Sequence, residues 1–136
     1  MKKPFVLIAA IVAVVGLGAA VAVAKVRTEV GASMTLNYQL PQPDHPARFV
    51  GRVKASRGCQ NGRTVTVTNI GPGVPGSRKV GSDKSGNNGK YKIVWRAQFS
   101  GERNYRAVVE ERKTTTDNGD KIVCKRAASK VYSVVR

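Results

Sequence analysis

The chain has 136 residues, with 24 Lys+Arg against 8 Asp+Glu, a formal net charge of +16 at pH 7, two cysteines and a single histidine. That length holds one ordinary domain. Cys59 and Cys124 each lack the close second ligand that a zinc centre needs, and His45 is the only histidine, so no metal site is expected.

The first segment reads as targeting sequence rather than domain. Lys2 and Lys3 precede Phe5 to Ala24, a run without charge that ends in Ala22-Val23-Ala24, the small-x-small pattern accepted by signal peptidase. The run exceeds the ~7–15 residues of a signal core and is long enough to span a bilayer. Residues 1–24 are therefore expected to be a signal peptide, or an uncleaved anchor formed by residues 5–24. Both outcomes place residues 25–136 outside the cytoplasm, secreted or in the cell envelope. Loss of Lys2 and Lys3 with the leader leaves 22 basic residues against eight acidic ones, a net charge of +14.

Along the rest of the chain, Val30 to Leu40 alternates as a half-buried strand would, and Pro41-Gln42-Pro43-Asp44-His45-Pro46 stops it, because proline cannot donate to a strand ladder. His45 is expected to be solvated there. Phe49, Gly51, Val53 and Ala55 then share one face, with Val50, Arg52, Lys54 and Ser56 on the other. Val65 and Val67 alternate with Thr64, Thr66 and Thr68. Tyr91, Ile93, Trp95 and Ala97 alternate with Lys90, Lys92, Val94 and Arg96, and Tyr105, Ala107 and Val109 with Arg106, Val108 and Glu110. Ile122 and Cys124 share a face, and Val131, Ser133 and Val135 close the chain. Period two, β-branched and aromatic enrichment, and turn clusters such as Asn61-Gly62, Pro75-Gly76 and Asp117-Asn118-Gly119 all point to strands. About seven short strands at this spacing predict an all-β sandwich.

An even cysteine count in an exported chain predicts one disulfide, Cys59 to Cys124, in an oxidising compartment. Closing so long a loop stabilises the fold by about 4 kcal/mol in the chain-entropy model.

The string Phe49-x-Gly51-x-Val53, Cys59, Arg63-x-Val65-x-Val67, Val80-Gly81-Ser82-Asp83, Gly89-x-Tyr91, Tyr105-x-Ala107, Cys124 and Ala128-Ser129 resembles small secreted, disulfide-bonded β-sandwich domains of actinobacteria. More distantly it is similar to transthyretin-like and carboxypeptidase-regulatory-like domains. The resemblance implies an immunoglobulin-like (prealbumin-like) Greek-key sandwich whose bridge ties an early strand to a late one. In function it implies an adhesive, spacer or carbohydrate-facing module, although a fold does not fix a function.

Enzyme chemistry finds no support. Glu110 and Glu111 are neighbours on a strand and point to opposite faces, and the single histidine lies in a proline-rich turn. Asp83-Lys84-Ser85-Gly86-Asn87-Asn88-Gly89 has one acid, flanking lysines and no bidentate glutamate, so it reads as a solvated hairpin turn rather than a calcium loop. Trp95 and Tyr105 share faces with core residues and are expected to pack inward.

The basic surface remains. Arg52, Lys54, Lys90, Lys92, Arg96 and Arg106 occupy outward strand positions, and the turns add further cations, Arg63, Lys84 and Arg112 among them. Such charge concentrates polyanions near the protein, or serves solubility alone. The expected function is a non-catalytic secreted or cell-envelope domain, without cofactor, that binds an anionic wall polymer, anionic lipid or extracellular nucleic acid. The alternative is a structural module of the envelope that meets another protein through a strand edge or an apolar patch of Val50, Val94 and Val108.

Overall fold

Alternation of β-branched and polar residues drives the chain almost wholly into strands. The structure is a computed structural model that describes residues 25–56, 58–72, 78–95 and 101–135. The leader (1–24), Arg57 and Arg96 fall outside those residues. In chain order the strands are β1 (Arg27–Val30), β2 (Ala32–Met34), β3 (Asn37–Gln39), β4 (Arg48–Ala55), β5 (Thr64–Gly71), β6 (Arg78–Lys84), β7 (Lys90–Val94), β8 (Glu102–Val109), β9 (Arg112–Thr115), β10 (Lys121–Cys124), β11 (Ala127–Ala128) and β12 (Tyr132–Val135). The expected seven become twelve because two edges are broken into short pieces (β2 with β3, β11 with β12) and β1, β6 and β9 are added.

Two sheets share a core. In the first, β4 is central, with β7 along one side and β2 then β3 along the other. In the second the order is β6, β5, β8, with β11 and β12 sharing the far side of β8. Phe49, Val53, Tyr91 and Ile93 from the first meet Val65, Val67, Tyr105, Ala107 and Val109 from the second in one buried cluster. Phe49 packs its ring against Tyr38 and Tyr105 at centroid distances of 4.9 and 4.8 Å. Trp95 lies against the same cluster, as its strand parity predicts.

The strand expected over Val30 to Leu40 is interrupted rather than lost. β2 and β3 pair with β4 in one continuous register (Met34 with Val53, Asn37 with Val50). Between them the Thr35 hydroxyl, not its carbonyl, accepts the Arg52 N–H at 3.1 Å, while the Thr35 carbonyl accepts the Tyr91 hydroxyl. His45 departs from expectation: a Gln42–His45 bridge folds the turn back, and the imidazole is only 13% exposed, with Nδ1 2.8 Å from the Pro46 carbonyl.

A third, small sheet sets β1 parallel to β10 and β10 antiparallel to β9. The Cys59–Cys124 disulfide, with Cα atoms 5.3 Å apart, joins the β4–β5 loop to the end of β10. Beside it lies Arg63, expected at the surface and found 1% exposed. Its Nη1 donates to the Cys59 carbonyl at 2.7 Å, and Nη2 to those of Glu110 and Lys125 at 2.7 and 2.9 Å. Burial, and next the charge of Arg112, lower the Arg63 pKa from its ordinary value. No carboxylate is among its hydrogen-bond partners; carbonyl dipoles stabilise the charge.

Arg63→Met strands those carbonyls and is expected to lower the unfolding free energy by about 3 kcal/mol, with Arg63→Lys intermediate because an ammonium cannot reach all three. Urea unfolding checks this; a change under about 0.5 kcal/mol for Arg63→Met would show the guanidinium to be dispensable.

A basic face as candidate functional site

Strand parity places the site. On β4 the outward residues are Arg48, Val50, Arg52 and Lys54, because Phe49 and Val53 are held in the core. On β7 they are Lys90, Lys92 and Val94, because Tyr91 and Ile93 point inward. The antiparallel register sets Arg52 opposite Lys90, Val50 opposite Lys92 and Arg48 opposite Val94. Like charges directly opposite on one face repel. They are kept together by the backbone ladder and by what lies beneath it.

Beneath it, Tyr91 crosses its own strand partner, Gly51, to reach the Thr35 carbonyl. A Cβ at Gly51 would collide with that carbonyl and with the Tyr91 ring. Gly51 is thus the gap through which β7 is fastened across β4 to the β2–β3 edge. Gly89, at φ +73°, plays the corresponding role before β7, since a Cβ there would strike the Val53 carbonyl.

The segment from Asp83 to Gly89 is not the solvated hairpin turn expected. β6 and β7 belong to different sheets, and the connection passes from one to the other. Ser85 is buried, accepts the Arg63 N–H at 2.9 Å and donates to the Gln60 carbonyl at 2.8 Å. This anchor sets Lys84 at one end of the crossing and Lys90 at the other. Asp83 Oδ2 accepts the Lys92 N–H at 3.0 Å, so β6 flanks β7 through a side chain.

The result is an open cleft of about 650 Å³ lined by Arg48, Arg52, Lys84, Lys90 and Lys92, with Asp83 its single carboxylate. Lys54 continues the row outward on β4. Ion pairs among the described residues lie elsewhere: Glu29 with Arg27 and Lys125 at 3.5 and 3.8 Å, and Glu111 with Lys113 at 3.6 Å. Five of the eight carboxylates (Glu29, Glu110, Glu111, Asp117 and Asp120) belong to the small sheet or the turns joined to it. Most of the carboxylates therefore lie at the small sheet, and the β4–β7 cleft has Asp83 alone against its five cations.

Of the residues expected to bind a polyanion, Arg52, Lys54, Lys90 and Lys92 therefore share one face, while Arg106 lies on β8, opposite Thr68 on the outer face of the other sheet. Arg96 falls outside the described residues. The structure adds Arg48 and Lys84, which sequence alone did not single out for this face. Arg48 follows from extending the outward parity of β4 by two steps, whereas nothing local marks Lys84, which is brought in by the sheet crossing. The valine patch also divides: Val50 and Val94 flank the cations, and Val108 faces away on the second sheet. Among the described residues no group of three or more His, Cys, Asp or Glu is placed to hold a metal ion. None of them forms a helix long and apolar enough to cross a membrane. No protein-family model, curated protein or solved structure matches this chain.

Burial raises the Tyr91 pKa well above 10.0, and that of Tyr105 also rises, chiefly through burial. The folded state keeps these hydroxyls protonated, while the unfolded chain releases their protons near pH 10. Their contribution to stability is thus complete below about pH 10 and declines as pH rises toward the folded value. Tyr91→Phe is expected to cost about 1 kcal/mol at pH 7, through the lost hydrogen bond to Thr35, and to flatten the alkaline decline. Urea midpoints between about pH 9 and pH 11 measure it; a slope identical to wild type would assign the decline to other groups.

Proposed function

We propose that this protein is a non-catalytic, secreted or cell-envelope domain that binds anionic surface polymers through the outer face of β4 and β7. The observation that carries the reading is the convergence of Arg48, Arg52, Lys84, Lys90 and Lys92 on one cleft with a single carboxylate. Binding a polyanion there relieves the repulsion between Arg52 and Lys90 and releases counterions from the polymer, which makes association favourable and steeply salt-dependent. The disulfide agrees with an oxidising compartment, and the charge-free run before Lys25 with export as a signal peptide or as an anchor. In this reading the fold is an immunoglobulin-like (prealbumin-like) Greek key. Passage of the chain from one sheet to the other after β4, β6 and β7 supports that assignment. A partner protein at an apolar patch is the weaker reading, because Val108 is separated from Val50 and Val94.

The test follows binding of the purified protein to isolated envelope material from the source cells as salt rises from about 50 to 500 mM. Binding is expected to collapse across that range, and the triple substitution Arg52→Gln, Lys90→Gln, Lys92→Gln to weaken it about ten-fold or more at the lowest salt. Arg106→Gln, on the other sheet, is expected to change it less than about two-fold. Binding that persists at the highest salt, or a triple variant indistinguishable from wild type, would remove the basic face from the mechanism.

A further inference from the structure

We infer that the β4–β7 face takes one particular class of polyanion: a linear polyol-phosphate chain, a phosphodiester polymer without bases, laid along the strands. The inference rests on the polyanion-binding reading and adds to it the repeat and chemistry of the ligand.

The register supplies the repeat. Four successive outward levels of the strand pair each hold a cation: Lys54, then Arg52 with Lys90, then Lys92 opposite Val50, then Arg48 opposite Val94. Outward residues two apart on a strand are separated by about 7 Å, so the ladder is about 20 Å long. Three backbone bonds of an extended chain span about 3.5 Å. Successive phosphorus atoms in a glycerol-phosphate chain are six bonds apart, through two oxygens and three carbons, which gives about 7 Å between charges. One phosphate then meets each level. An inorganic polyphosphate has two bonds between phosphorus atoms, about 3 Å, and crowds more than one charge onto each level.

The side chains supply the rest. A single-stranded nucleic acid has the same six-bond repeat, but proteins hold its bases on exposed aromatic rings. Among the described residues this face presents none. Tyr91 is 3% exposed and its hydroxyl is committed to Thr35. What lies between the cations is Val50 and Val94, the latter 60% exposed, apolar surface suited to the carbon segments between phosphates. Lysine serves as a point charge for phosphate, Arg52 adds a forked donor, and Arg48, whose Nε is given to Gln39 Oε1 at 2.7 Å, keeps its two Nη groups for the ligand.

The experiment measures affinity of the purified full chain for three fluorescent-labelled probes of equal phosphate number: a synthetic glycerol-phosphate oligomer, oligo-dT and inorganic polyphosphate. Salt is varied from about 50 to 200 mM. Four neutralised phosphates on a single chain give a log–log salt slope of about −2.8, so the glycerol-phosphate affinity is expected to fall about 50-fold over that range. Lys92→Gln, which empties one level, is expected to bring the slope to about −2.1. Lys121→Gln removes the same charge from the β9–β10 hairpin and is expected to leave the slope unchanged, with circular dichroism checking that both variants fold. Polyphosphate binding as tightly as glycerol phosphate, oligo-dT binding more tightly than it, or both variants behaving alike would overturn the inference while leaving the polyanion reading in place. Absence of binding to all three probes at the lowest salt would overturn both.

Discussion

The buried Arg63 guanidinium is the joint on which the other contacts depend. It reaches the carbonyls of Cys59, Glu110 and Lys125, three segments distant in sequence, where the disulfide already holds two of them together. A charge removed from water without a carboxylate needs well-placed dipoles; carbonyls at 2.7 to 2.9 Å provide them for Nη1 and Nη2, while the buried Nε has no hydrogen-bond partner among the described residues. The same residue's backbone N–H is accepted by Ser85, and Ser85 fixes the passage from β6 to β7. A chain of short contacts therefore runs from the disulfide, through Arg63 and Ser85, to the two ends of the crossing where Lys84 and Lys90 stand. The placement of Lys84 and Lys90 beside the β4–β7 face is a consequence of that joint.

Charge is distributed in the fold with a consistent bias. At the small sheet charge is partly offset: Glu29 lies against Arg27 and Lys125, and Glu111 against Lys113. Exposed pairs of this kind stabilise little, so their main effect is on the field, which they cancel locally. The β4–β7 face has no such compensation beyond Asp83, whose carboxylate also accepts a backbone N–H. Repulsion across Arg52 and Lys90 is borne by the ladder hydrogen bonds and by the Tyr91 crossing over Gly51, a rigid support independent of the side chains it presents.

Much of this was legible in the sequence. Period two in β4, β5, β7 and β8 identified the inward residues, and the cysteine pair followed from count and context. Arg63 follows Asn61-Gly62, a dipeptide that marks a turn, and a turn arginine is expected at the surface, yet it is buried. It shares parity with the inward Val65 and Val67, a signal that the sequence carries although arginine ordinarily stays in water. In the Asp83 to Gly89 segment the residues that make a tight hairpin also make a crossing between sheets; burial of Ser85 tells them apart, and burial is a tertiary property. For the same reason strand parity found Arg52, Lys54, Lys90 and Lys92 but could not say that Arg106 belongs to a different surface. Parity assigns a residue to a face, while sheet membership is decided by long-range pairing.

A site of this construction has a definite physical character. Its levels follow one another at about one strand repeat, and its cations are exposed except Arg48, which is half-buried with Nε donating to Gln39 Oε1 at 2.7 Å. Contacts of this sort are individually weak and additive over separate levels, so affinity grows with the number of charges engaged rather than with the fit of any one. A polymer longer than the ladder presents many equivalent registers, which raises the chance of rebinding and lets the domain move along the chain without full release. On the polyanion-binding reading, association is therefore reversible and set by ionic conditions, with selectivity arising from the match of charge repeat to strand repeat.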